Sequence, residues 1–138
     1  MVSRIENGAR LQRTLNWGEN EVVVSSVQEL DALLDSLTVE AEQDTPFMVA
    51  LSREDESTLS IGLGRPESVA SYVPGSLDPP YLVSRGKGEG DGPVEFFFGG
   101  QMTEFPPTSA VPVEAARDAL RVFFETGELS PNLDWEET

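Results

Sequence analysis

The 138 residues contain no cysteine and no histidine. The first absence excludes a disulfide framework, a thiolate zinc site and a thiol nucleophile. The second excludes a Ser-His-Asp triad, an imidazole metal ligand and an imidazole pH switch. Positive charge is scarce as well: nine Lys and Arg stand against 25 Asp and Glu, a net charge of −16. Phosphate contact depends on Lys and Arg, so this balance argues against direct binding to nucleic acid or an anionic membrane, and for a basic partner or for solubility alone. No 18 apolar residues run together, and the first ten residues, with Arg4, Glu6 and Arg10, lack the apolar core of an export signal. The chain therefore reads as a cytoplasmic protein whose remaining catalytic candidates are carboxylates, lysine, tyrosine and hydroxyls.

The length fits one domain with one core. Val27, Leu30, Leu33, Leu34, Leu37 and Ala41 form a single apolar stripe at helical spacing, and Ser26-Val27-Gln28-Glu29 has the form of a capping box. A helix is predicted over about residues 26–42. From Pro46 to Phe105, short apolar runs are separated by clusters of Gly, Pro, Asp and Ser, which is the punctuation of a sheet. Strands are expected at 47–51, 59–63, 69–73, 81–84 and 94–98, the last ended or bulged by Gly99-Gly100. A second helix is expected over 113–126, led by Pro112 and closed by Gly127, with Val113, Ala116, Leu120, Phe123 and Phe124 inward. Trp135 should fold back onto the core. Residues 1–18 form an N-terminal extension, a strand or disordered, before a single domain over 19–138. The fold class is α+β: a mostly antiparallel sheet of four to six strands with both helices packed on one face.

Motifs that carry chemistry are weak or incomplete. The run Gly86-Lys87-Gly88-Glu89-Gly90-Asp91-Gly92 lacks the Lys-Ser/Thr ending of a phosphate loop, and no helix opens after it. Gly62-x-Gly64 lacks the third glycine of a dinucleotide site, because position 67 is Glu. Glu54-Asp55-Glu56 falls at a predicted hairpin turn, where solvated acids are ordinary, and the spaced ligands of an EF-hand are missing around Glu89 and Asp91. No cofactor, no metal and no catalytic residue is assigned.

The two helices differ in charge. In the second, Glu114 with Arg117, Asp118 with Arg121 and Arg121 with Glu125 stand at i,i+3 or i,i+4, as in a self-sufficient surface helix. The first carries Glu29, Asp31, Asp35, Glu40 and Glu42, with no Lys or Arg between Glu19 and Asp44. Asp31 and Asp35 repel at i,i+4, and Glu40 and Glu42 oppose the macrodipole. An acidic face kept at a local cost points to a basic partner, against the alternative of acidity for solubility.

In order and spacing, these residues resemble the Imm-one family of immunity proteins from bacterial polymorphic toxin systems. The likeness runs over about residues 17–137. Val24-Ser25-Ser26-Val27-x-Glu29-Leu30-Asp31 opens a helix, then come Pro46-Phe47 and Leu59-Ser60-Ile61-Gly62-Leu63-Gly64. Pro80-Tyr81-x-x-Ser84-x-Gly86 and Gly99-Gly100 follow, then the Pro-led helix with Ala115-Ala116-x-x-Ala119-x-x-x-Phe123. Thr126-Gly127 leads through Pro131 to Trp135-Glu136. The resemblance implies a non-enzymatic antidote that binds a cognate basic toxin domain, often a deaminase acting on nucleic acid, by occupying its basic cleft. Partner contact is expected at Glu54, Asp55, Glu56, Tyr81, Ser84, Glu89 and Asp91, with the oligomeric state open between monomer and weak dimer. Two other readings compete: an acidic nucleic-acid mimic acting on other basic partners, and a carboxylate-based enzyme.

Overall fold

The computed structural model describes residues 13–76, 78–87 and 92–138. The chain runs β1 (Arg13–Trp17), β2 (Asn20–Val24), α1 (Val27–Gln43), β3 (Phe47–Ser52), β4 (Thr58–Leu63), β5 (Glu67–Ser68), β6 (Ala70–Val73) and β7 (Leu82–Arg85). It continues through β8 (Val94–Phe98), β9 (Gln101–Phe105), a 3-10 turn (Pro107–Ser109), β10 (Val111–Pro112), α2 (Val113–Thr126) and β11 (Asp134–Glu137). This is the α+β class expected, with a larger sheet. Among the described residues the main sheet has nine strands rather than four to six, and β5 and β10 pair as a separate ribbon.

The extra strands come from tight hairpins. Gly99 and Gly100 both take positive φ, 62° and 88°, so the chain turns back in two residues and Gln101 pairs with Phe98. Two successive left-handed residues match the twist of the flanking strands, which is why Gly-Gly opens a hairpin here instead of ending the sheet. In the β1–β2 turn Gly18 alone takes positive φ (57°), as a two-residue hairpin with glycine in first place allows, and Trp17 pairs with Asn20.

Both helices begin and end where local chemistry dictates. Ser26 Oγ accepts from Glu29 N–H at 3.1 Å, while the Glu29 carboxylate accepts from Ser25 N–H at 2.6 Å, one residue earlier than the standard reciprocal bond. Gly127 closes α2 in the left-handed conformation (φ 77°).

The sheet follows the order β9-β8-β3-β4-β6-β7-β11. Its pairings are antiparallel apart from a single parallel bridge, Phe47 with Phe97. Leu15, Val49, Leu51, Leu59, Ile61 and Leu63 join Leu30, Leu34, Ala116, Leu120 and Phe123 in one core, which places both helices on one face. Trp135 packs at its margin. A smaller core on the other face gathers Met48, Val69, Val83, Val94 and Phe96. Gly62 makes room for this smaller core against the sheet, since a Cβ there would stand 2.5 Å from the Phe96 ring. Beside it Ser68 Oγ accepts from Gly62 N–H at 2.9 Å and donates to Gly62 C=O at 2.8 Å, completing the ladder where a strand partner is missing.

The charge pattern of α2 departs from expectation. Arg117 and Arg121 reach across to α1: Arg117 Nη2 lies 2.9 Å from Asp35 Oδ1, and Arg121 Nε lies 2.9 Å from Asp31 Oδ1. Of the expected pairs within α2, Asp118 with Arg121 is formed, at 3.7 Å. The Asp31–Asp35 repulsion is thus relieved inside the molecule and needs no external cation. The C-terminal carbonyls of α2 are served from the sheet side. Arg13 Nε donates to Phe124 C=O at 2.6 Å, and Arg53 Nη1 donates to Phe123 C=O at 3.0 Å and Phe124 C=O at 2.6 Å.

Candidate partner-binding surface

Among the described residues, the expected contact positions do not all lie on one surface. Glu54, Asp55 and Glu56 make the turn between β3 and β4, with Glu56 in the left-handed region (φ 71°). Asp55 Oδ1 accepts from Ser57 N–H at 2.9 Å and Ser57 O–H at 2.6 Å. The Ser57 hydroxyl, followed by the Ser57 amide, holds the Asp55 carboxyl below its ordinary value. Gly75 sits against the Asp55 carbonyl so closely that any Cβ would overlap it. This is a built turn, and its carboxylate is tuned toward staying ionised rather than donating a proton. Tyr81 is exposed just before β7, near the same end of the sheet, and its carbonyl accepts from Thr138 N–H at 2.9 Å.

Ser84 must be set aside as a contact residue. It is fully buried, accepting from Ala70 N–H at 3.0 Å and donating to Ser109 C=O at 2.8 Å, so both hydrogen-bonding functions are used. The glycine-rich loop leaves β7 at the end away from Tyr81, where Gly86 N–H donates to Thr108 C=O at 2.7 Å. Glu89 and Asp91 lie outside the described residues.

A different feature emerges where the sheet forks. Along one edge, β3 pairs with β1 through Ala50, Leu51 and Ser52, and with β8 at Phe47. Between them, among the described residues, Met48 and Val49 have no strand partner on that side. The β1–β2 and β8–β9 hairpins diverge here and leave a groove of about 700 Å³. Its apolar lining includes Trp17, Phe47, Phe97 and Phe98, and Glu19, Glu40 and Asp44 supply charge. No cation lines it. The fork is about 20 Å from the Glu54–Glu56 turn, by the rise of six strand residues along β3.

The sequence signal for this groove was dispersed. The acids of α1 flag a charged face, but Phe97 reads as an ordinary strand residue and Trp17 falls in the 1–18 extension, expected as a strand or disordered. Among the described residues no group of acids is arranged to hold a metal ion. No described helix is long and apolar enough to cross a membrane.

The model of the family described as Immunity protein Imm1 matches residues 18–137. The chain belongs to the Imm1 family of immunity proteins. The match spans the helices, the strands from β2 onward and the groove lining apart from Asn16 and Trp17. No curated protein matches the chain. For an Imm1 protein the role is immunity and the expected partner is a toxin protein, so the acidic surfaces described above become candidates for contact with protein rather than seats of chemistry.

Proposed function

We propose that this protein neutralises a cognate polymorphic toxin, a deaminase acting on nucleic acid, by binding in the cytoplasm over the toxin's basic substrate-binding region. The observation that carries this is the disposition of charge within an Imm1 chain. The net charge is −16, and Arg13, Arg53, Arg117 and Arg121 are turned inward onto helix carbonyls or acids of the same chain. Among the described residues the exposed acids far outnumber the exposed cations Arg65, Arg85 and Lys87, so the outward field is negative. A toxin that handles DNA or RNA needs Lys and Arg for the phosphates, and an acidic protein competes for the same cations. Opposite fields speed encounter, and buried apolar anchors slow release. Neutralisation is by occupancy, with no bond made or broken.

The test is expression of the toxin domain encoded beside this gene, with and without this protein, followed by cell survival and deamination of DNA and RNA. Survival with loss of deamination is expected. Death in both cultures would overturn the immunity role for that pair, and protection from a toxin without deaminase activity would overturn the assignment of its chemistry.

A further inference from the structure

The two helices cover the central strands and stop short of the β8–β9 hairpin. Phe97 and Phe47 are bridge partners and so share the helix-side face, yet no residue of β8 or β9 joins the helix-side core. On that face Phe97 opposes Met102 directly, and they are 40% and 48% exposed. Two residues along, Glu95 opposes Glu104. Like charges directly across an antiparallel pair weaken it, so this face combines bare apolar area with uncompensated repulsion. The cation at this hairpin, Arg65, does not answer the repulsion through an ion pair. Its Nε donates to the Glu95 carbonyl at 3.0 Å, and its guanidinium lies over Phe96, which belongs to the opposite core. Phe97 also floors the fork groove, whose charged residues Glu19, Glu40 and Asp44 extend the same sign.

We propose that this hairpin face and the groove form one docking surface, and that its occupant is a segment of a basic protein presenting Arg or Lys beside an apolar side chain. The proposal rests on the immunity reading and names the surface that serves it. Charge complementarity selects the occupant. Phosphate would be repelled, and a second copy of a chain at −16 would bring acid against acid. An arginine suits the site best, since its planar cation stacks on Trp17 or Phe97 while its stem covers apolar area and its fork reaches a carboxylate. The surface differs from the Glu54–Glu56 turn at the far end of β3, and the two can be tested against each other.

The probe is the toxin domain encoded beside this gene, with association and dissociation rates measured at low salt and at about 0.5 M salt. In one variant Phe97→Ala is combined with Met102→Ala. In a second, Glu40→Lys, Asp44→Lys and Glu104→Lys reverse charge at exposed positions, which keeps the test readable if the apolar variant folds poorly. A third carries Glu54→Lys and Glu56→Lys. Loss of the apolar pair is expected to weaken binding about 100-fold, mainly through faster dissociation. The triple reversal is expected to slow association about tenfold or more at low salt, with the difference fading at high salt. The turn variant should stay within about threefold of wild type, the range left to contacts outside a hot spot. Binding of both groove variants within that range would overturn this surface while leaving the immunity role intact. Absence of binding by the wild-type protein would overturn both.

Discussion

Arg117 Nη2 sits 2.9 Å from Asp35 Oδ1, joining α2 to α1 across a boundary that the sequence presents as two independent charge patterns. The same nitrogen reaches Asp31 C=O at 3.3 Å, and the arginine side chain is 11% exposed against 73% for Asp35. Its Nε is buried without a partner among the described residues. Most of the cost of losing this contact therefore falls on the arginine side. Arg117→Ala should destabilise by about 2–3 kcal/mol, whereas Asp35→Asn should cost under about 1 kcal/mol. Arg117→Met keeps the packed stem and removes the orphan Nε, so it should cost less than half as much as alanine. Urea unfolding midpoints at constant slope distinguish these values. Equal losses for Met and Ala would show that packing of the stem contributes little.

Replacing Gly62 tests the packing of the Phe96 ring onto the sheet in the smaller core. A Cβ would stand 2.5 Å from Phe96 ring carbons, and that ring is fully buried. Gly62→Ala should destabilise by about 1–3 kcal/mol through overpacking, despite the better strand propensity of alanine. Combining it with Phe96→Leu should recover part of the loss, measured as a coupling in a double-mutant cycle.

The C-terminus of α1 offers a gain. Glu42 is exposed in its last turn, which holds no basic residue, and Glu42 does not line the groove. Glu42→Lys should stabilise the fold by about 0.3–1 kcal/mol at low ionic strength, with the gain shrinking as salt is added. Toxin neutralisation should be unchanged.

Asp55 sets a pH dependence of known sign. Its folded pKa lies below the ordinary aspartate value, chiefly because the Ser57 hydroxyl and amide donate to it. The turn's contribution is therefore full above the unfolded pKa and is lost as pH falls through the lower, folded one. Asp55→Asn should remove that acid-limb contribution, giving a shallower decline in stability below about pH 4. Thermal unfolding scanned through that range reads the difference.

The helices were legible because their signals are local. Ser26 and Glu29 cap one helix, Gly127 closes the other, and the apolar stripes run at one period. The return strand after Gly99-Gly100 is not legible because two glycines serve equally to end a strand, to bulge it or to turn it back, and here the hairpin leaves five residues for a further strand. Arg117 and Arg121 mislead because spacing along a helix names possible partners and cannot rank them against acids 82 to 90 residues away. Ser84 misled for a related reason: a hydroxyl near a loop reads as exposed, whereas here it completes the hydrogen bonding of two backbone groups under the sheet. The fork depends on which strands share β3, and that pairing is long-range.

Titration of the toxin's activity, deamination on the reading proposed above, tests neutralisation by occupancy most directly, using the toxin domain encoded beside the gene at a concentration far above the dissociation constant. Activity should fall linearly and vanish at one equivalent, and the toxin should regain activity when separated from the unaltered protein. Inhibition complete well below one equivalent, or persisting after separation, would mean that the protein acts as a catalyst on its target and would contradict the binding mechanism.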